Sequence, residues 1–280
     1  IYRIKRRQKQ CFYFFKNDLM GSHEKVRNLV CRFFEVKPFH NISNVTVGAY
    51  ETFVFQKKLR ENLLDLGHLE GTEFGVHVYE EVFTNQAYEK LFPVEKGDIV
   101  VDVGASFGPF TCSILHKEPS KVFCIEPSVD LLPLLTKNVE QDFVSIINKG
   151  ISDIDGKLLS GAYADDPENP TMFDTITFQT FVSSNRITTI DFLKTDCEGA
   201  EYDIFNSANL EWIKSNVKKI GGEWHLNSDE KKAKFRWFRD HFLSLFSNYK
   251  VFSIDGVDIT EQVHSEDVVA YYTEVMVYID

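Results

Sequence analysis

Fourteen residues, Asp98-Ile-Val-Val-Asp-Val-Gly-Ala-Ser-Phe-Gly-Pro-Phe-Thr111, constrain the fold more than any other part of the chain. Strand-forming residues lead into Gly104, and helix-forming residues resume after Gly108. A glycine turn between strand and helix lets a ligand approach the backbone with no Cβ in the way. The spacing is not the G-x-G-x-x-G of a dinucleotide site, since only Gly104 and Gly108 are present, with Ala105 between them. Asp102 stands inside the strand, two residues before the first glycine. A pyrophosphate would be repelled there, whereas a ligand carrying an ammonium group would be tolerated. Glu126 follows 22 residues after Gly104, at the end of the next strand-like run. A carboxylate so placed can accept both hydroxyls of a ribose. The same residues also suit a structural turn and a helix N-terminus entered through Pro127-Ser128-Val129-Asp130.

From about Gly97 onward, short β-branched runs alternate with helical patterns, which reads as a parallel sheet wrapped by helices. The expected strands are Ile99–Val103, Lys121–Ile125, Val144–Asn148, Ile187–Thr195, Lys219–His225, Tyr249–Ile254 and Val268–Ile279. The expected helices are Phe110–His116, Val129–Val139, Asp203–Asn216 and Asp229–Asn248. In the last of these, Phe235, Phe238, Phe242, Leu245 and Phe246 recur at three- and four-residue spacing and make one apolar stripe. The final two strands read as an antiparallel hairpin. Pro167, Asn169 and Pro170 mark a polar loop within an insert at 156–185. The expected division is a basic arm at 1–37, a cap or subdomain at 38–95, and the α/β domain at 96–280.

Charge separates the arm from the body. The chain of 280 residues carries a formal net charge of −11. Residues 1–37 hold ten Lys/Arg against three acids (+7), which leaves 21 basic and 39 acidic groups (−18) in the rest. Such a body argues against a nucleic-acid partner, which needs positive surface. No stretch approaches the ~20 apolar residues of a membrane span. The run Cys11–Phe15 behind the basic cluster is too short for a signal peptide, and Met20 reads as a candidate start. Five scattered cysteines without a CxxC pair suggest reduced thiols and a cytoplasmic setting, and they argue against zinc. The sequons at Asn41 and Asn44 are then chance matches.

The segments VVDVGASFGPFT, VFCIEPS, IDFLKTDCEGAEYDIF and GGEWH together resemble the FkbM-type family of S-adenosylmethionine-dependent methyltransferases. The likeness spans roughly 76–280 and includes the approach segment EEVFTNQAY. It implies a doubly wound, mostly parallel seven-stranded class I methyltransferase fold, with an N-terminal extension and S-adenosyl-L-methionine as cofactor. It further implies that Asp102, Gly104, Ala105, Ser106 and Gly108 frame the methionine and ribose. Glu126 would hold the ribose diol, and Ser152 with Asp153 would lie near the adenine. Many members have Asn where Ser106 stands and an aliphatic where Thr195 stands.

Two strand ends offer acceptor-side chemistry: Asp196 with Glu198, and Glu223 with His225. Residues two apart on a strand share a face, and four ionisable groups on one rim exceed what packing requires. His225 could act as general base, since its ordinary pKa lies near neutrality. Glu201 reads as a cap or solvated group in the first turn of the next helix. Trp212 and Trp224 read as packing, and Glu81 and Tyr88 as residues of the cofactor mouth. Carboxylates plus one imidazole suit a hard divalent ion, but nothing in the spacing demands a metal, and none is expected. The expected reaction is O-methylation of a sugar, glycan or small hydroxylated metabolite. The alternatives are an RNA or protein N-methyltransferase and a non-catalytic module of the same fold.

Overall fold

The computed structural model describes residues 2–5, 11–14, 64–65, 77–159 and 172–280. The chain divides into two compact units, Ile1–Leu63 and Leu64–Asp280. Within the first, β1 (Tyr2–Lys5) and β2 (Cys11–Phe14) pair antiparallel. Of the expected cap at 38–95, residues 38–63 and 66–76 lie outside the described residues, as do the two sequons and the loop around Pro167 and Pro170.

The second unit is built on a seven-stranded sheet. Its strands are β3 (Ile99–Val103), β4 (Lys121–Ile125), β5 (Val144–Ile147), β9 (Ile190–Thr195), β10 (Val217–His225), β11 (Tyr249–Ser253) and β12 (Glu274–Ile279). Their order across the sheet is β11-β12-β10-β9-β3-β4-β5. The strands β10, β9, β3, β4 and β5 run parallel, and β12 pairs antiparallel with both β10 and β11. A small second sheet joins β6 (Gly150–Ile151), β8 (Met172–Ile176) and β7 (Gly156–Leu159). The 156–185 insert is thus partly regular structure, and helix α3 (Phe178–Ser184) closes it.

Alternation along each strand fills both faces. Val100, Val122 and Phe192 pack with Phe110, Ile114 and Leu135 on one side. Their neighbours Val101, Phe123 and Leu193 pack with Phe181, Phe205, Trp224 and Phe238 on the other. Side chains buried on both faces are what a parallel sheet demands. Helix α1 (Pro109–Ile114) starts straight after Gly108, with proline at its first position, and α2 (Leu132–Asn138) follows β4.

Three elements depart from expectation. The segment Asp203–Asn216 is two short helices, α4 (Glu201–Ile204) and α5 (Leu210–Asn216), separated at Phe205–Asn209. The helix from Asp229 is α-helical only to Trp237 (α6), then makes a π-turn over Phe238–Phe242 and a 3-10 turn over Leu243–Leu245. The wider turn rephases the stripe: Phe235, Phe238, Phe242 and Leu243 are buried, while Leu245 is 43% exposed. Finally, Glu266–Tyr271 is a helix (α7), not the start of the last strand, because Ser265 caps it and two acids fill its first turn. Tyr271 accordingly stands 80% exposed at the helix end. Among the described residues no helix is long and apolar enough to cross a membrane.

Candidate active site

The chain leaves β3 for β4 and β5 on one side, and later returns to build β9 and β10 on the other. The carboxyl ends of β3 and β9 therefore flank the point where the winding reverses, the usual place for a ligand crevice. The two ends touch closely. A Cβ on Gly104 would stand 1.8 Å from the Asp196 carbonyl oxygen, and Gly104 has φ +73°. Glycine is required there on both counts. Gly221 does the same for the approach segment, since its Cβ would meet the Tyr88 carbonyl oxygen at 2.0 Å. That contact lets residues 77–94 lie against the sheet, with Val82, Tyr88 and Val94 in its core.

A cavity of about 580 Å³ opens at this end of the sheet. Its wall runs from Gly104-Ala105-Ser106 past Glu126–Leu131 and Met172-Phe173 to Asp196, Cys197, Glu198, Glu223 and His225. Glu126 is buried and serves the turn directly. Its Oε2 accepts the Ser106 N–H at 2.8 Å, and its Oε1 accepts the Ser128 N–H at 2.8 Å. Burial raises its pKa, against the pull of those two N–H groups. Each oxygen keeps a further lone pair for a ligand hydroxyl.

Asp102 is placed otherwise. It is fully buried behind the turn, where its Oδ2 accepts the Thr111 hydroxyl at 2.8 Å and its Oδ1 pairs with Lys194 Nζ at 3.2 Å. Its charge is met by that lysine, so it makes no wall of the cavity. Gly108 also stays out of the wall and gives room to Val139 and Leu135. Ser152 and Asp153 bond each other at 3.2 Å and likewise line no part of the cavity.

The acid rim does converge. His225 Nδ1 lies 3.0 Å from Glu201 Oε1, and its Nε2 lies 3.4 Å from Glu198, 3.5 Å from Glu223 and 4.0 Å from Asp196. Burial works against charge on the ring, but Glu201 and the other acids outweigh it and hold its pKa up to about 10. The ring is then imidazolium at neutral pH, which alters the part expected of it. Glu223 is raised as well: burial, Asp196 and Glu81 push it far up, against the pull of His225. The Tyr88 hydroxyl donates to Asp196 Oδ2 at 2.7 Å and lies 3.0 Å from Glu81 Oε1.

Two contributors were not visible as such in the sequence. Lys194, buried on β9, donates to the Gly104 carbonyl at 2.7 Å and sits 5.0 Å from the Tyr88 ring centre. Asp102 and Asp196 keep it charged against the cost of burial. Glu201 is fully buried rather than solvated. It reaches back to the Cys197 N–H at 2.9 Å, as a first-turn acid can, but also orients His225. Cys197 lines the cavity, yet burial and Glu201 raise its thiol well above the reactive range, so it is no nucleophile. Trp224 is core, stacked on Phe238 at 4.9 Å.

The donor set selects among cofactors. The wall carries seven carboxylates (Glu81, Glu126, Asp130, Asp196, Glu198, Glu223, Glu274) against Lys194, His77 and His225. That balance repels a pyrophosphate and suits a cationic nucleoside. The volume is ordinary for a small-molecule site, about 300–1,000 Å³. The glycine turn, the ribose-type acid and the negative wall thus fit S-adenosylmethionine.

A family comparison agrees with this. The family described as methyltransferase FkbM domain matches residues 102–251. No curated protein matches the chain. Solved structures with a similar fold include an O-methyltransferase from Bacillus cereus in complex with SAH. It is 11% identical, over 91% of this chain and 97% of that one, at a TM-score of 0.38. Aeropyrum pernix fibrillarin with natively bound S-adenosyl-L-methionine is 11% identical, over 72% and 76%, at 0.39. An rRNA methylase from Streptococcus thermophilus is 10% identical, over 67% and 89%, at 0.39.

Proposed function

The chain belongs to the FkbM methyltransferase family, which uses S-adenosylmethionine, and from that premise we propose that it methylates a hydroxyl of a sugar, glycan or small hydroxylated metabolite. The observation that carries the reading is the contact of Gly104 with Asp196. It sets a nucleoside-binding turn directly beside a rim of acids. When bound, S-adenosylmethionine supplies an electrophilic methyl on a sulfonium; the residues supply alignment and a path for one proton.

Glu126 holds the ribose diol on lone pairs left by Ser106 and Ser128. Ala105 and Ser106 present backbone to the ligand. Asp196, fixed by the Tyr88 hydroxyl, orients the acceptor hydroxyl next to the turn. Glu223 and His225, both with pKa values raised above the ordinary ones, favour their protonated forms and polarise the acceptor oxygen. Glu198, the most open of the four rim groups, takes the hydroxyl proton and passes it to water. Asp102 acts through Lys194, which anchors the Gly104 carbonyl, and Ser152 with Asp153, outside the cavity wall, do not touch ligand. The described parts of the approach segment and of the 156–185 insert border the acceptor side through Glu81, Met172 and Phe173.

The acidic rim favours one second reading, transfer to a cationic amine of a protein or small molecule. A methyl-transfer screen with mass detection, run over glycans, hydroxylated metabolites, amines and RNA, separates the two. The expected product is an O-methyl ether, with turnover lowered about 100-fold or more by Glu198→Gln and little change in cofactor affinity. Transfer only to amines or RNA would overturn the hydroxyl reading.

A further inference from the structure

We propose that Asp196, Glu223 and His225 bind one divalent cation of the Mn²⁺ type at the acceptor side of the cavity. Each side chain offers one ligand atom, and the three atoms lie within 4.8 Å of one another. Glu223 Oε1 is 3.5 Å and Asp196 Oδ1 is 4.0 Å from His225 Nε2. Atoms bound to one cation at bonds of about 2.0–2.6 Å stand about 3–5 Å apart, nearest neighbours to opposite positions. The observed spacings fall inside that range. Two carboxylates and one imidazole suit a hard or borderline divalent ion rather than a thiophilic one.

A separate observation points into the same space. Glu223 is only 8% exposed and faces the cavity; it makes no hydrogen bond among the described residues, and its ion-pair neighbour is His225 Nε2 at 3.5 Å. A buried carboxylate without a hydrogen bond is costly, and standing beside a second carboxylate, Asp196, adds like-charge repulsion. A cation removes both costs. His225 is also set up for ligation. Its Nδ1 is held at 3.0 Å by the buried Glu201, which turns Nε2 to the cavity. The cation takes the place of the Nε2 proton and of any proton on Glu223, and these pass to water.

What the ion does rests on the methyl-transfer reading above; whether it binds does not. In that reading an acceptor hydroxyl enters an open coordination position, its oxygen binds the metal, and its proton goes to the Glu198 carboxylate. The metal lowers the hydroxyl pKa, as it does for bound water.

The test is Mn²⁺ titration of the full chain, stripped with chelator and dialysed, followed by electron paramagnetic resonance without methyl donor or acceptor. The free-ion signal should be lost at one ion per chain, with nitrogen coupling from one imidazole. Glu223→Gln and Asp196→Asn should each weaken binding at least tenfold, and His225→Gln should abolish the nitrogen coupling. Glu230→Gln, on the exposed side of α6, should change nothing. Thermal melts of each variant verify that it is folded. A free-ion signal that persists at full intensity, or binding indifferent to Glu223→Gln and Asp196→Asn in folded protein, overturns the site. Either result would stand whether or not methyl transfer is found, and stoichiometric binding supports the site even in protein that transfers no methyl.

Discussion

Lys194 ties the glycine turn to the buried Asp102 behind it. Its ammonium bonds the Gly104 carbonyl and neutralises Asp102, its cross-strand partner between β3 and β9. Removing one member of a buried pair leaves the other charge uncompensated and costs about 3–5 kcal/mol. Lys194→Met should therefore lower stability by about that amount in urea unfolding. Lys194→Met combined with Asp102→Leu should recover part of the loss. A loss below about 1 kcal/mol for the single variant would mean that the pair behaves as a solvated one. The sequence could not announce this pair. A lysine in the run Ile-Asp-Phe-Leu-Lys-Thr reads as an outward-facing residue until β3 is known to lie beside β9. Glu201 was hidden for the same reason, since its partner His225 comes from another strand. Glu126, by contrast, was legible because spacing along the chain alone puts it at the end of the neighbouring strand.

Among the elements, the segment from Asp229 to Leu245 shows how a periodic pattern can be read correctly in kind and wrongly in phase. Apolar spacing predicts one helix and a stripe that includes Leu245. The π-turn at Phe238–Phe242 inserts extra backbone per turn and brings Leu243 inward instead. Leu243→Ala should then cost about 2–5 kcal/mol, whereas Leu245→Ala should stay within about 1 kcal/mol, both by chemical denaturation. Equal losses would contradict the rephasing. The strands β3 and β4 were legible to the residue because both are buried on both faces and bounded by turn residues. Helix α7 was not, because Val268-Val269-Ala-Tyr-Tyr resembles a strand. Only the cap at Ser265, with Glu266 and Asp267 behind it, betrays the helix.

At the scale of the whole molecule, sheet order and charge work together. Winding outward from β3 in both directions brings Gly104 and Glu126 from one half, and Asp196 from the other, to one crevice. The acidity of residues 38–280 is concentrated there in part, as seven carboxylates on one cavity wall. Such a field attracts a sulfonium and repels phosphates. The alternation of strands and helices made the sheet legible, and the glycine turn located its ligand end. The acceptor was not legible, because the loops that border the cavity carry no periodic signal.

Calorimetric titration with S-adenosylmethionine tests the account most directly. It should show one site per chain, and Glu126→Gln, folded by its melting curve, should bind at least about tenfold more weakly, as expected for lost hydrogen bonds to a charged group. NAD, with its pyrophosphate, should give no heat. Absence of S-adenosylmethionine binding to the unaltered chain, or equal binding of NAD, would contradict the account.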